Sequence, residues 1–432
     1  MAIIKAVRSR EILDSRGIPT IETSIWSDDT GATATVPSGA SVGEKEALEL
    51  RDNDPARFQG KGVLKAVQLV NQTISKYLIG QDPTKQNTID QMLINLDGTK
   101  NKSKLGANTI LSVSQAIFEL GARVSKMQTY QYVQAKYNLH QPTAANLPTP
   151  IFNIINGGKH GDNNLDFQEY HVIPSSKLDF KQALRIGNEI YHQLKQLLID
   201  KKANHSVGDE GGFTPHLDLN LDAISLITQA IQSTPYELNQ QVYLGLDMAA
   251  TEFYKNKQYR IKDRKKPFPP EEFLEYLLEL KNKYGHVLLE DPLDQNSWSD
   301  WAILTSQIGQ NTLIVGDDLI ATHTSLLKKA IDQKACNAVI IKPNQVGTIS
   351  EAVSVVKMAK ANNIAVVVSH RSGDTNEDFL ADFAVGVGAD YVKFGAPVRG
   401  ERTAKYNRLS LIQDYLMLSS PSKAATTIPT LP

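Results

Sequence analysis

Six short apolar runs in the second half of this chain each close on a single polar or charged residue. They are VYLGLD at Asp247, VLLE at Glu290, LIVGD at Asp317, AVIIK at Lys342, VVVSH at His370 and YVK at Lys393. Apolar runs of this length, each followed by a helical segment, read as buried strands of βα units, and their closing residues should gather at one end of the sheet. Three of those residues are carboxylates. One acid at a strand end is usually a helix cap or a solvated rim residue, but three in register repel one another unless a cation lies between them. Oxygen ligands with no His or Cys beside them favour a hard cation, Mg²⁺ before others.

The remaining chemistry is of a kind that a metal-bound acidic substrate would need. Lys342 and Lys393 close runs of Val and Ile or Tyr and Val. A lysine in such a partly desolvated setting can lose its proton and act as a base, whereas the ordinary lysine is a solvated charge. VVVSHRSGD offers His370, Arg371 and Ser372 at a strand-to-helix turn, a set that suits a phosphate group. VGDEGGFTP places Asp209 and Glu210 after a short run and before a glycine pair, where a carboxylic acid could serve as general acid. INGGKHGDNNLDFQEY supplies Lys159 and His160 on a glycine loop, then Gln168 and Glu169 on a strand. VPSGASVGEKEALELRD puts Ser38, Gly39, Ala40, Ser41 and Gly43 in a loop before a helix, read either as a linker with a cap or as a lid over the site.

These residues need a scaffold, and the chain of 432 residues is long enough for a small domain and a barrel-sized one. From Ile3 to about Val36, short β-rich runs broken by DSRG and SDDTG predict an antiparallel meander. Between Gly62 and Tyr137 the apolar spacing changes to three and four, which predicts packed helices, so the first domain is α+β. LHQPTAANLPTP reads as a linker ending near Pro150. Beyond it the cadence of runs and helices predicts a parallel sheet, and FQEYHVIP and HSVGDEGG bring the strand count to that of a closed barrel. The tail SSPSKAATTIPTLP is polar and expected to fray.

Bulk composition narrows the function further. Hydrophobic residues are 41% and charged residues 22%, as in ordinary globular proteins. Lys plus Arg (46) nearly cancels Asp plus Glu (47), which argues against a nucleic-acid or membrane-surface binder. With neither a signal peptide nor an apolar span, the chain reads as cytoplasmic. Cys336, alone in the apolar setting KACNAVII, reads as a buried structural thiol.

Taken in order, REILDSRGIPTIE, VPSGASVGEKEALELRD, NIINGGKHGDNNLDFQEY, VGDEGGFTP, LGLDMAATEFY, EDPLDQNSW, VGDDL, IKPNQVGT, SHRSGDT and VKFGAPVRGERTAKYN resemble the enolase family from about Ile4 to Asn407. The resemblance implies an α/β fold class, with an N-terminal α+β capping domain carrying a mobile loop over residues 1–138 and a C-terminal α/β, TIM-like barrel over 139–432. It implies reversible dehydration of 2-phosphoglycerate to phosphoenolpyruvate with two Mg²⁺ per active site. Asp247, Glu290 and Asp317 would bind the tighter ion and Ser41 would join the second. Lys342 would be the base at C2 and Glu210 the acid at C3, with Glu169 and His160 beside it. Gln168 and His160 would contact substrate, His370, Arg371 and Ser372 would hold the phosphate side, and Lys393 would face the carboxylate. A Lys or His base working with one or two Mg²⁺ ions is the general chemistry of the enolase superfamily, and the implied roles follow that pattern.

The pattern departs from the family at Val42, Thr251, Phe394, Gln295 and Ser297, and none of these removes a catalytic group. Leu411 stands where an arginine is expected to pair across a homodimer with Glu22. A racemase or cycloisomerase would share the three acids but would need neither SHRSG nor the SGAS loop. A non-catalytic protein reusing the fold would not need the intact set of acid, base, metal ligands and phosphate donors.

Overall fold

The computed structural model describes residues 2–28, 30–39, 43–139, 143, 147–161 and 165–418. Ser41 and the tail after residue 418 lie outside the described residues, so the lid residue and the fraying expected of the tail are not addressed by it.

The first part is the expected meander with helices packed on it. β1 (Ala6–Leu13), β2 (Pro19–Trp26) and β3 (Gly31–Thr35) run antiparallel in that order. DSRG makes the first turn because Asp14 Oδ1 accepts from the amides of Arg16 (2.8 Å) and Ile18 (2.9 Å), while Gly17 takes a φ of 71°. Alternation on β2 buries Ile21, Thr23 and Ile25, and the sheet packs on the helix Ala107–Val124, itself buried along nearly its whole length. The hydroxyls of Ser9, Thr23 and Ser112 satisfy one another inside that interface, at 2.5 and 2.7 Å. The helical run before it widens into a π-helical segment at Leu69–Ile74, where Asn71 bonds both the amide and the carbonyl of Ser9 on β1.

The second part is a closed eight-stranded barrel. Its strands are β4 (Thr149–Asn156), β5 (Glu169–Pro174) and β6 (Val242–Asp247), then, after a separate hairpin of β7 (Tyr254–Lys255) and β8 (Gln258–Tyr259), β9 (Leu288–Glu290), β10 (Leu313–Gly316), β11 (Ala338–Ile341), β12 (Ala365–Ser369) and β13 (Tyr391–Lys393). Around the barrel the order is β10, β11, β12, β13, β4, β5, β6, β9. Ile151, Ile173, Leu288, Val315, Ala338, Ile340 and Val367 fill the lumen. At the mouth end, two residues beyond Leu288, Val315, Ile340 and Val367, stand Glu290, Asp317, Lys342 and Ser369, and Lys393, Asp247 and, beyond His171, Glu169 hold the matching inward positions of their strands, so the period of two that packs the lumen also raises the polar residues above it.

Two expectations are corrected. The sheet is not wholly parallel, because β5 pairs antiparallel with both β4 and β6. Among its described residues the connection 157–168 holds a short 3-10 turn at Gly158–His160, too little for a crossover helix, and the chain reverses. The start of β5 therefore lies among the ends of its neighbours, which puts Glu169 at the mouth. HSVGDEGG is not a strand but a turn, closed by Gly208 N–H to Gly212 O at 2.9 Å and by an isolated bridge between Val207 and Phe213. The eighth strand is TPIFNIIN, beginning inside the segment read as a linker. Pro150 is compatible with it because it stands at the strand's beginning. Among the described residues no helix is long and apolar enough to cross a membrane.

Candidate active site

The register of three adjacent strands sets the floor of the site. Glu169 pairs with Asp247, and Asp247 with Glu290, so three buried carboxylates stand side by side. Left alone they would repel strongly. Lys393, at the end of β13, brings its Nζ to 3.0 Å from Asp247 Oδ2, 2.8 Å from Glu290 Oε2 and 3.3 Å from Glu169 Oε2. Burial alone would lower this ammonium, but Asp247, Glu169 and Glu290 outweigh it and hold Lys393 well above the usual lysine range. Burial and the neighbouring Asp247 push Glu290 well above the usual carboxylate range.

Asp317 and Lys342 follow β10 and β11 directly, and the Lys342 ammonium is paired with Asp317 Oδ2. Burial would lower Lys342, yet Asp317 more than compensates and raises it, which keeps the lysine charged in this arrangement. Gln345 Nε2 donates to the other oxygen, Asp317 Oδ1, at 2.9 Å. Asp291, not singled out in the sequence, positions this corner: its carboxylate accepts from the amides of Asp317 (3.0 Å) and Asp318 (2.8 Å). The left-handed backbone of Asp291, φ 39°, is the local feature that accompanies this.

The opposite side is built on Glu210. Asn153 Nδ2 on β4 donates to its Oε2 at 3.0 Å, Ser372 Oγ donates to its Oε1 at 3.2 Å, and His160 Nδ1 and His370 Nε2 lie 3.3 Å away. His160 Nδ1 is also 3.1 Å from Glu169 Oε1. Burial and Glu169 push Glu210 up, but His160 and His370 prevail and hold it below the usual range. His160, which burial alone would lower, is raised instead by Glu210 and Glu169, so the cluster keeps its proton on that imidazole. His160 is itself buried.

Arg402 ties the two loops of this side together. Fully buried, it donates to the carbonyls of Arg371 (2.6 Å), Ser372 (2.6 Å) and Asp209 (3.0 Å) and to His370 Nδ1 (2.7 Å). The last bond makes His370 Nδ1 an acceptor and leaves its Nε2–H for Glu210. Arg371 forks onto Glu46 at 2.8 and 3.2 Å and reaches Asn344 at 3.1 Å. Arg402 and Glu46 stand in the motifs RGERT and GEKEA, but nothing in their spacing marked them as partners of the site.

One cleft joins these groups. His160, Gln168, Glu169, Glu210, Asp247, Asp317, Lys342, His370, Arg371, Ser372 and Lys393 all line it. Glu290 reaches it through Lys393, and Gln168 Nε2 donates to Asp247 Oδ2 at 3.2 Å. Asp209 does not line it and contributes its carbonyl to Arg402 instead. Among the described residues, the tightest acid-containing groups that could hold a metal are His160–Glu169–Glu210 and Asp291–Asp317–Asp318, not the expected trio. The reason is visible in the pairing: Lys393 occupies the space between Asp247 and Glu290, and Lys342 draws Asp317 aside. Of the departures, Thr251 keeps a hydroxyl that accepts from the Gln295 amide at 3.0 Å, and Phe394 is buried against Tyr406. Cys336 is buried, and burial pushes its thiol up to about 12, as an inert thiol requires.

The chain matches two family models, "Enolase, N-terminal domain" over residues 4–133 and "Enolase, C-terminal TIM barrel domain" over 144–426. Curated relatives include the enolases of Helicobacter pylori strains J99 and G27. Each is 45% identical over 418 residues, covering 96% of this chain and 97% of the relative.

Proposed function

Because the chain belongs to the enolase family over both matched regions, we propose that Lys342 and Glu210 divide its proton transfers, as base and acid on different sides of one cleft. The enzyme is a lyase, a phosphopyruvate hydratase, and its reaction is the reversible dehydration of 2-phosphoglycerate to phosphoenolpyruvate in glycolysis. The observation that carries the division of roles is placement. Lys342 follows β11, while Glu210 is bound to Asn153 on β4, three strands further round the barrel.

Lys342 Nζ takes the proton from C2, and Glu210, fed by the proton that His160 carries, protonates the departing C3 hydroxyl. Glu169 holds His160 in place. Arg371, with Ser372 and His370 near it, receives the phosphate, and Arg371 exchanges Glu46 for it. Lys393 is the cation nearest the acids that the substrate carboxylate must approach.

The donor set fits a hard divalent cation: oxygen atoms on Asp247, Glu290 and Asp317, whose charge is now balanced by lysines. We assign these three to one Mg²⁺ and Ser41, with the substrate phosphate, to a second. Bound there, the ions supply Lewis-acid stabilisation of the extra charge that develops on the substrate carboxylate. Charge balance supports this: phosphate, carboxylate and three acids bring about −6, and two Mg²⁺ with Arg371 and Lys393 bring about +6. Lys342 is then free to be neutral, since Asp317, which raises it here, would be engaged elsewhere. We further infer a cytoplasmic homodimer, each chain dividing into a capping domain over 1–138 and a barrel domain over 139–432.

Absorbance of phosphoenolpyruvate formed from 2-phosphoglycerate tests the reaction. Exchange of the C2 proton with deuterated solvent tests the roles: Glu210→Gln should exchange without forming product, and Lys342→Ala should do neither. Wild-type exchange in Lys342→Ala would assign the base elsewhere.

A further inference from the structure

Below the rim of the barrel, where inward positions are otherwise filled mainly by apolar side chains, β5 carries an imidazole that the proton transfers above do not use. His171 is fully buried and faces inward with Glu169 and Ile173. Its Nε2 lies 2.8 Å from Glu169 Oε2. Across the β4–β5 register its partner is Asn153, which donates to Glu210. The two reacting-side carboxylates therefore each rest on a polar side chain of the layer below, and these two supports are neighbours.

The surroundings fix which form of the ring is present. Glu169 only accepts, so the hydrogen of the pair is on Nε2. Nδ1 has no hydrogen-bond partner among the described residues. A bare lone pair there costs less than a buried N–H without an acceptor would. Lys393 Nζ lies 3.3 Å from the same Glu169 Oε2. On the other flank the register partner is Gly245, where an added Cβ would stand 3.3 Å from His171 Nδ1 and 2.9 Å from Ile173 Cδ1. The bare backbone of β6 makes room for the ring.

The geometry points to His171 as a positioning residue for the acid side of the reaction: its neutral ring donates Nε2–H to Glu169 Oε2 and so keeps Oε1 turned toward His160 Nδ1. Through that imidazole the arrangement reaches Ser372, whose Oγ is 3.1 Å from His160 Nε2, and Glu210. Without His171 the Glu169 carboxylate is held from that side, among the described residues, by Lys393 alone, and rotation toward the ammonium would release His160. The inference rests on the acid role assigned above to Glu210, and it leaves Lys342 and the C2 proton untouched.

The experiment compares His171→Met, which removes the donor at similar size, with His171→Gln, which keeps one. Both are assayed for kcat and KM at saturating Mg²⁺ and for exchange of the C2 proton in deuterated solvent. Loss of a hydrogen bond to a charged group costs about tenfold to a hundredfold. His171→Met should lose about that much in kcat with KM changed less than about twofold and with C2 exchange retained. His171→Gln should recover most of the loss. The inference is overturned if kcat of His171→Met stays within about twofold of the wild type, if exchange is lost in parallel, or if His171→Gln is no better than His171→Met. Should His171→Met fail to fold, ¹⁵N spectra of histidine-labelled wild-type enzyme decide: a neutral ring protonated at Nε2 is required, and the other tautomer or a charged ring sinks the idea. A wild type that forms no phosphoenolpyruvate would instead overturn the reaction assignment, whatever His171 does.

Discussion

Replacing Lys393 by Met removes the ammonium that three carboxylates of the barrel floor share. The Nζ lies 3.0, 2.8 and 3.3 Å from Asp247, Glu290 and Glu169. At an effective dielectric of about 20, each contact amounts to roughly 5–6 kcal/mol of attraction. Desolvation of four buried charges cancels most of this, and removing one partner of a buried ion pair typically costs about 3–5 kcal/mol. With an unfolding entropy of about 2.1 cal/mol/K per residue over a barrel of roughly three hundred residues, that corresponds to a fall in Tm of about 5–8 °C in the presence of chelator. Glu290, already pushed up by burial and Asp247, can relieve the repulsion by keeping its proton, so the loss should be smaller in acid and grow as pH rises. Magnesium at about a hundredfold excess over its dissociation constant returns about 2.7 kcal/mol. The return should be larger in the variant, where no lysine has to be displaced from between Asp247 and Glu290. Thermal unfolding followed by circular dichroism, with chelator or with Mg²⁺, measures both effects. A chelated variant melting within about 1 °C of the wild type, or equal stabilisation of both proteins by Mg²⁺, would refute the claim that Lys393 stands in for a cation.

Exhaustive chelation should abolish turnover, because Asp247, Glu290 and Asp317 are then balanced only by lysines; full activity after chelation would remove them as metal ligands. Asp90 caps the helix Ile349–Ala361 from the first part of the chain, accepting from the Ser350 amide at 3.0 Å, and burial pushes it up to about 6. A carboxyl raised on folding adds stability that is complete below about pH 4 and is lost as pH rises through about 6, about 3 kcal/mol here. Denaturant unfolding at several pH values should show the wild type losing stability relative to Asp90→Asn across that window, and a difference independent of pH would contradict it. Leu411 is exposed on the last helix, while Glu22 is already paired with Arg10 of its own chain. Leu411→Arg should therefore leave a dimer intact or tighten it by less than about tenfold, with greater salt dependence, as sedimentation at several ionic strengths would show; a monomer at every concentration would refute the homodimer itself.

Much of the site was legible because each barrel strand is short. A short run of apolar residues ending in one polar residue states both which face is buried and which end carries chemistry. That is why Asp247, Glu290, Asp317, Lys342 and Lys393 could be named from sequence and are found at one mouth. The antiparallel meander was equally plain, since its turns are written in local residues such as the DSRG bend. Strand direction was not: alternation fixes faces but is blind to direction, and β5 runs backward where the described residues of its connection to β4 hold no helix long enough to cross over. TPIFNIIN was hidden for a similar reason, its Pro150 reading as the end of a linker until its neighbours β13 and β5 paired with it. The partners of the site were the least visible. Arg402 reaches His370, Asp291 reaches Asp317, His171 reaches into the lumen beside Gly245, and Lys393 bonds Asp247, 146 positions away in the chain. Sequence determined the kinds of groups and the strand ends that bear them, because those depend on neighbours in the chain. Which carboxylate shares which cation, and therefore whether Lys342 is charged and where the proton of His160, Glu169 and Glu210 rests, was decided only when the barrel closed, because buried charges are set by distances between residues far apart in sequence.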